Sequence, residues 1–469
     1  MAGTVLTNQL KSLNDACQQL QERIGSDAKA AELLFCVRGL VTQLTVENEA
    51  VPRLAATARE SLARLRPAIE RLGVKTSGAD PAEDLASQLI AVRGKLAAID
   101  STEAASLCRQ LASIEAEYLE ALDRAFQSAY QPPATAQAAV AGIDKVALRD
   151  FLAQVFSTPD LVLSSVDIIS GGFSKQTMKV QLRKQEGRDE PMPETLILRL
   201  DLPAETALAG TKVVEEYPML LAAHGHGIRV PKPYALESSG KVAGRNFIVL
   251  GLVTGRTVGT LFNYPPADAG LGADIARQLA AIHKVPISAL PDVTGPDVPL
   301  VERIHEEIAI ARRFWDALGR SSTIMEEGFR ALERHLPLAD SSVRCLVHGD
   351  FGLHNIMVEH DKVSSILDWE FGKLGNPADD LGYFHDTADH LMGWDNFLAE
   401  YERAGGIVPP PEQVQFYRLL ALVRVCTLAN QADAAFCAGV MTRIQYAPPG
   451  SYFLRGIMAK LGRMVERLG

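Results

Sequence analysis

The feature that most constrains this chain is a pair of short apolar runs bounded by an asparagine and an aspartate. The runs lie at 356–358 and 363–367 and are separated by a polar turn, a pattern that predicts a β-hairpin. Asn355 precedes the first run and Asp368 follows the second. Because the start of one hairpin strand lies beside the end of the other, we expect these two side chains to meet at one site.

Asp350 lies ahead of this hairpin, with four residues between it and Asn355. The same spacing occurs in the catalytic loop of kinases, where the Asp receives the hydroxyl proton and the Asn holds a metal ion. Asp368 falls where kinases carry a second metal-binding carboxylate, and phosphoryl transfer needs such positioning and charge neutralisation. A chance turn with a surface carboxylate is the competing interpretation. The combined pattern favours the kinase-like site.

The surrounding sequence changes from β-rich to helix-rich. A helical segment at 213–224 interrupts a series of strand-like runs, which lie at 162–169, 177–182, 195–200 and 246–250. Helical patterns dominate from residue 270 onward. The sequence therefore predicts an α+β, two-lobed, protein-kinase-like fold, with a small β-rich N-lobe at 143–256 and a larger α-rich C-lobe at 257–469.

The first 130 residues have a different, helical character. Apolar residues recur at spacings of three and four in three stretches, at 54–72, 85–99 and 107–126. This pattern predicts an all-α bundle of about four helices over residues 1–130, without a polar cluster resembling an active site. Paired prolines and small residues at 131–142 predict a linker.

Composition excludes several classes of protein. The net charge of -10 and the pI of about 5.6 argue against a binder of nucleic acid or of anionic membranes. The six cysteines are scattered without a CxxC pair, as in proteins of reducing compartments. The N-terminal residues lack the apolar stretch of a secretory signal, and no run is long enough to span a bilayer. We therefore expect a cytoplasmic protein.

The segment from His348 to Asp368 resembles the H-G-D-x₄-N … D-[WFY]-[ED] signature of the aminoglycoside phosphotransferase-like family, which includes choline kinase. It is also similar to the phosphotransferase domains linked to acyl-CoA dehydrogenases. The resemblance covers about residues 143–469. It implies that Asp350 is the catalytic base, that Asn355 and Asp368 bind Mg²⁺, and that His348 supports the loop by hydrogen bonding.

A second family element follows the hairpin. Residues 375–383 resemble the element G-D-P-x-x-D-L-A, with Asn376 in place of its usual Asp. The resemblance implies that Asp380 braces the catalytic loop. Three further acidic residues on this segment either meet a cationic substrate or form a solvated helix face: Asp379, Asp386 and Asp389.

Residues 170–177 resemble the family's G-G-x-S-N-x-T phosphate loop. The resemblance implies that backbone amides at Gly171 and Gly172 and the hydroxyl of Ser174 contact phosphate. Lys175 replaces the usual Asn, and it either contacts phosphate or is solvated.

Arg199 ends an apolar strand at the place where protein kinases carry their ATP-binding lysine. Arginine can clamp phosphate with two hydrogen bonds while it pairs with a carboxylate. The predicted partner is Glu216, with Glu215 as the alternative register. A surface arginine and an ordinary helical glutamate are the competing interpretation.

Together these resemblances imply an ATP- and Mg²⁺-dependent phosphotransferase that acts on a hydroxyl of a small molecule. They do not distinguish ATP from GTP, and they do not name the acceptor. The alternative is a catalytically weak, pseudokinase-like nucleotide-binding module that recruits a partner through its helical N-terminal domain. The presence of Asp350, Asn355 and Asp368 favours the enzyme.

Because residues 1–130 have helical apolar stripes but no polar constellation, we predict that they mediate oligomerisation or protein docking. On this hypothesis a chain starting near Gly142 still binds Mg·ATP.

Overall fold

The computed structural model describes residues 28–76, 85–129, 143–169, 175–183, 192–202, 212–259, 264–290, 298–319, 321–437 and 454–467, together with Leu10, Leu13 and Cys17. The predicted linker lies outside these residues. By packing, the chain divides into two compact units. The first, here called the helical unit, comprises Met1–Ala136, Val301–Pro337 and Leu419–Gly469. The second, the mixed unit, comprises Gln137–Leu300 and Leu338–Arg418.

The described helices, in chain order, are α1 Ala28–Glu49, α2 Val51–Arg71, α3 Leu85–Ala97, α4 Thr102–Ala129, α5 Lys145–Val155, α6 Val213–Gly225, α7 Ala269–His283, α8 Leu300–Ala317, α9 Thr323–Arg334, α10 Ala378–Met392, α11 Trp394–Arg403, α12 Pro411–Cys437 and α13 Leu454–Arg467. The described strands are β1 Leu163–Ile169, β2 Lys175–Leu182, β3 Thr195–Asp201, β4 Pro233–Glu237, β5 Phe247–Gly251, β6 Arg256–Thr257, β7 Cys345–Val347, β8 Ile356–Glu359, β9 Lys362–Ile366 and β10 Lys373–Gly375. None of these helices combines the length and the apolar character needed to cross a lipid bilayer. The predicted α+β fold with a sheet lobe, a helical lobe and an N-terminal helical region is confirmed.

The sheet of the mixed unit has the strand order β1-β2-β3-β5-β4, and every neighbouring pair is antiparallel. Side chains alternate along β3, so that Leu196, Leu198 and Leu200 are buried with the apolar face of α5. Arg199 and Asp201 consequently project from the opposite face of the sheet. The predicted strands correspond to β1, β2, β3 and β5. The edge strand β4, which begins with a proline, was not predicted.

The predicted hairpin is present as β8 and β9, with Ile356 opposite Ile366. Its turn residues His360 and Asp361 both have left-handed backbone angles, with φ of 51° and 58°. Two successive residues with positive φ match the twist of a tight hairpin. The amide of Leu367 donates to the carbonyl of Asn355 at 2.8 Å, which extends the pairing to the residue before Asp368.

A buried carboxylate on α7 holds this hairpin from outside. Asp274 accepts hydrogen bonds from the amide of Val363 at 2.9 Å and from Nη1 of Arg229 at 3.0 Å. The carbonyl of Arg229 accepts in turn from the amide of Ile366 at 2.7 Å. The hairpin is therefore bonded at β9 to α7 and to the loop that carries Arg229.

In the helical unit, α4 packs against α2, α3, α9 and α13. The crossing of α4 and α13 is close, since a Cβ added at Gly462 would collide with the Cβ of Ala116. Arg93 of α3 pairs with Glu327 of α9 at 2.9 Å. Segments 301–337 and 419–469, which the sequence assigns to the C-lobe, thus share a core with the N-terminal helices.

Glu115 of α4 caps the first turn of α9. Its Oε2 accepts from the amide of Thr323 at 2.7 Å, from the hydroxyl of Thr323 at 2.5 Å and from the amide of Ile324 at 3.1 Å. Burial raises the pKa of Glu115, and these hydrogen bonds offset only part of the rise. The buried carboxylate satisfies amide donors that a helix start otherwise leaves unpaired.

Replacing Glu115 by Ala is expected to lower the free energy of unfolding by about 2–4 kcal/mol, because buried donors lose their acceptor. Glu117→Ala, an exposed neighbour, is the control.

Since the pKa of Glu115 is raised in the fold, its contribution to the free energy of unfolding is fully present below the unfolded-state pKa and is lost as pH rises through the folded-state pKa. Urea unfolding of wild type and Glu115→Gln across acidic to neutral pH tests this: the advantage of wild type should shrink as pH rises. A pH-independent difference would contradict the assignment.

Candidate active site

The predicted catalytic loop follows β7 and turns sharply at Gly349. This residue has φ of 80°, and a Cβ there would lie 2.5 Å from the carbonyl oxygen of Phe371. Only glycine combines this backbone angle with so close an approach. The turn carries the chain directly into Asp350.

Asp380 of α10 holds the turn by its backbone. Its carboxylate accepts hydrogen bonds from the amides of His348 and Gly349, both at 2.8 Å, and lies 3.1 Å from Nε2 of His283. Burial alone would raise the pKa of Asp380, but these partners hold it below its usual value. Nδ1 of His283 lies 2.7 Å from the hydroxyl of Tyr401, so a chain of polar contacts continues into the interior.

The ring of His348 links the loop to the segment after β9. Its Nδ1 accepts from the amide of Asp350 at 3.3 Å, and its Nε2 lies 2.8 Å from the carbonyl of Leu367. Because Nδ1 accepts a hydrogen bond and Nε2 faces a carbonyl oxygen, the ring proton lies on Nε2. His348 therefore bonds the residue before Asp368 to the loop that carries Asp350.

The carboxylate of Asp350 is held by its neighbours in the motif. Its Oδ2 lies 2.8 Å from Nδ2 of Asn355 and 3.1 Å from Nε2 of His354, and Tyr383 also donates to it. Burial would raise the pKa of Asp350, but His354 and Tyr383 together lower it. Asp350 is thus an ionised acceptor that is one fifth exposed.

His354 and Tyr383 were missed by the sequence interpretation. Burial would lower the pKa of His354, but the adjacent Asp350 raises it. A Cβ at Gly352 would come within 2.6 Å of the His354 ring, so the absence of a side chain at Gly352 leaves room for that ring. The position of His354 directly before Asn355 was the available signal; for Tyr383 there was none beyond its place in the 375–383 element.

Asp368 has φ of 62°, an unusual backbone angle for a residue other than glycine. Its Oδ1 lies 2.5 Å from Nη2 of Arg199, which projects from β3. Both hydrogen bonds of the Asn355 side chain to Asp350 use its Nδ2. The amide oxygen of Asn355 is therefore the atom that could act as a ligand beside Asp368.

Arg199 also meets Glu216 of α6, with 3.4 Å between Nε and Oε1. Burial raises the pKa of Glu216 to about 7. The nearby carboxylates of Asp368 and Glu370 add to this rise, and the positive charge of Arg199 reduces it. Burial works against the charge of Arg199, but Asp368, Glu216 and Glu370 raise the pKa of its guanidinium. Glu215, the alternative register, instead accepts from the amide of Lys212 at the start of its own helix.

Lys175, the first residue of β2, is buried rather than solvated. Its ammonium lies 3.1 Å from Oε2 of Glu370 and 3.9 Å from Oδ1 of Asp201. Glu370, also buried, was not among the predicted site residues. The predicted phosphate-loop residues Gly171, Gly172 and Ser174 lie outside the described residues.

Charged side chains of both signs gather on this side of the site. Among the described residues, Lys175 and Arg199 form ion pairs with four acidic side chains: Asp201, Glu216, Asp368 and Glu370. No group of three or more His, Cys, Asp or Glu side chains in the described ranges is arranged to hold a metal ion. Mg²⁺ commonly binds through one or two carboxylates together with substrate phosphates. The carboxylate of Asp368 and the amide oxygen of Asn355 fit that mode.

The acidic residues of α10 all have partners within the chain. Asp379 lies 3.1 Å from Nζ of Lys373, and Asp386 lies 2.6 Å from Nη2 of Arg418. Asp389 accepts from the amide of Trp394 at the start of α11. Asp379 is buried, so the stretch is not a uniformly solvated face. These contacts also weaken the case for a cationic substrate at this helix.

Comparison with known proteins adds three findings. A family model described as "Phosphotransferase enzyme family" matches residues 165–417, just over half of the chain. "Acyl-CoA dehydrogenase family member 11" of Rattus norvegicus is 31% identical over an alignment of 274 residues, and the match covers 52% of this chain and 34% of the relative. The Gallus gallus protein of the same name is 25% identical over an alignment of 256 residues, and the match covers 49% of this chain and 32% of the relative. This chain thus spans about a third of their length.

Among solved structures, a Ralstonia eutropha protein provisionally described as an aminoglycoside phosphotransferase aligns with a TM-score of 0.52 and 21% identity. The alignment covers 68% of this chain and 98% of that protein. At this identity the similarity concerns the fold.

Proposed function

Since the chain belongs to the phosphotransferase enzyme family, we propose that it is a kinase that transfers the γ-phosphoryl group of ATP to a hydroxyl of a small molecule. One observation carries the proposal. At one end of the β8–β9 hairpin, Asn355 donates to Asp350, Leu367 next to Asp368 donates to the carbonyl of Asn355, and Arg199 donates to Asp368. A potential base, two potential metal ligands and a phosphate-binding cation are the parts that phosphoryl transfer uses.

In this proposal Asp368 and Asn355 hold Mg²⁺, which when bound would neutralise charge on the nucleotide phosphates. Arg199, freed in part from Asp368, binds phosphate oxygens while Glu216 keeps its guanidinium in place. The phosphate loop is assigned to Gly171, Gly172 and Ser174 by resemblance only.

Asp350 accepts the proton of the acceptor hydroxyl. Its lowered pKa keeps it ionised and ready to accept, and the bonds from Asn355 and His354 leave its carboxylate one orientation. His348 and Asp380 hold the loop backbone so that the carboxylate stays aligned with the metal-binding segment.

Replacing Arg199 by Ala is expected to raise the KM for ATP and to lower kcat/KM on the order of 10²-fold, because a buried donor to the phosphates is lost. Arg199→Lys should recover part of both, since it keeps the charge but not the two-pronged geometry. Steady-state kinetics at varied ATP measure this. Wild-type kinetics in Arg199→Ala would show that another cation holds the phosphates.

For the acceptor, we propose an uncharged or anionic metabolic hydroxyl compound, including acyl- or CoA-linked alcohols, rather than a polycationic aminoglycoside. The acidic residues of α10 are already paired, and the curated relatives are named acyl-CoA dehydrogenases. An ADP-release screen over aminoglycosides, amino alcohols, sugars and hydroxyacyl-CoAs tests this, with Asp350→Asn as the blank. Release with aminoglycosides alone would overturn the acceptor class. Nucleotide binding without transfer to any acceptor would favour the pseudokinase-like alternative.

A further inference from the structure

A second ion pair joins the sheet to the 368–370 segment, in addition to the pair between Arg199 and Asp368. Lys175, which belongs to the predicted phosphate loop, is the first residue of β2, and Glu370 follows Asp368 by two residues. Nζ of Lys175 and Oε2 of Glu370 are 3.1 Å apart, and both side chains are at least nine-tenths buried. Each of the two carboxylates in the 368–370 segment is therefore bonded to a cation from the sheet.

The register of the sheet explains why the two pairs lie side by side. Across β2 and β3, Lys175 is opposite Asp201 and Thr177 is opposite Arg199. Residues two apart on a strand share a face, so both cations project from the same face of the sheet. Trp369, between the two carboxylates, is buried and donates from its indole nitrogen to the carbonyl of Ile366. The segment is thus held at three successive residues.

We infer that Lys175 and Glu370 are a positioning pair, which fixes the segment carrying Asp368 to the strand that leaves the predicted phosphate loop. The inference rests on the proposed function and assigns Lys175 a role through Glu370 rather than direct contact with phosphate. Buried ion pairs are costly to break by removing one partner, because the other charge remains buried without compensation. Removing both partners avoids that penalty.

A double-mutant cycle of Lys175→Met, Glu370→Gln and the double variant tests the pair. In thermal unfolding without nucleotide, each single substitution should lower the Tm on the order of 5–10 °C. The double substitution should lower the Tm by less than the sum of the two single effects. Lys179→Met is the matched control, because Lys179 lies on the same face of β2 and makes no ion pair with the described residues. It should unfold like wild type.

Calorimetry of Mg·ATP binding distinguishes a positioning role from a merely structural one. Breaking a pair that only stabilises the fold would leave the affinity for Mg·ATP unchanged. Each single variant should weaken binding about 10–100-fold, the usual effect of losing a partner behind a metal ligand. The double variant should be no worse than the worse single one, and Lys175→Arg should restore most of the affinity.

Three outcomes would overturn the inference. Loss of affinity in Lys175→Met alone would make Lys175 a direct phosphate ligand, and loss in Glu370→Gln alone would make Glu370 a metal ligand. Additive effects on both unfolding and binding would show that the two residues act independently. A wild-type protein that binds no Mg·ATP would instead refute the proposed function, and the unfolding cycle would still decide whether the pair holds the segment.

Discussion

Asp350→Asn is expected to slow phosphoryl transfer by about 10²–10⁴-fold, the usual worth of a positioned base. The affinity for Mg·ATP should stay nearly unchanged, because Asp350 bonds to Asn355 and His354 rather than to the cations of the sheet. Asn keeps the shape and one acceptor oxygen but cannot take a proton. Since the transition state is loose and needs little early activation of the nucleophile, the loss should fall towards the lower end.

Asp368→Ala is the contrasting variant. It should abolish transfer and remove the Mg²⁺ dependence of ATP binding, because it deletes the carboxylate proposed to hold the metal and strands Arg199. Calorimetry with and without Mg²⁺, beside single-turnover rates, separates the two roles. Asp361→Asn is the control, since this exposed turn residue has a left-handed φ that Asn tolerates. Equal loss of ATP binding in the Asp350 and Asp368 variants would make Asp350 a metal ligand or a structural residue.

The second large effect concerns the N-terminal helices. Deleting residues 1–142 is expected to unfold the rest of the helical unit, because α9 and α13 pack on α4 and lose their core. Glu115 would no longer cap α9, and the face of α13 around Gly462 would be exposed. This expectation replaces the one drawn from sequence, in which such a chain still binds Mg·ATP.

Circular dichroism, thermal unfolding and size-exclusion chromatography of the shortened chain measure this effect. We expect lost helical signal from residues 301–337 and 419–469 and self-association through uncovered apolar surface. Supplying residues 1–142 as a separate chain during expression should reduce this self-association, because the two chains can rebuild the shared core. A shortened chain that is monomeric and unfolds cooperatively at the wild-type temperature would contradict the shared core. A docking role for residues 1–130 stays a prediction.

Local patterns were enough to predict the hairpin and four of the five described strands of the sheet, all but β4. Alternation along β3 and the turn between β8 and β9 are properties of neighbouring residues, so sequence spacing carries them directly. The same spacing predicted that Asn355 and Asp368 would lie close together, because a hairpin leaves no other arrangement.

Contacts between distant residues could not be predicted in this way. Lys175 and Glu370 are 195 residues apart, and nothing near either one indicates the other. Glu115 and Thr323 are separated by 208 residues, so an interior carboxylate on an amphipathic helix had no visible partner. His354 is different: its neighbour Asn355 was recognised, and a titratable ring beside a metal-ligand position could have been included.

The helical unit is assembled from segments that leave the ribosome at very different times. About 325 residues separate the end of α4 at Ala129 from the start of α13 at Leu454. At synthesis rates of about 5–20 residues per second, α4 waits roughly 15–65 s for that partner. During this interval the surface around Ala116 is covered by other means or not at all. For this chain, then, the step most exposed to misassembly in the cell is the interval between the synthesis of α4 and that of α13, during which the entire mixed unit is made.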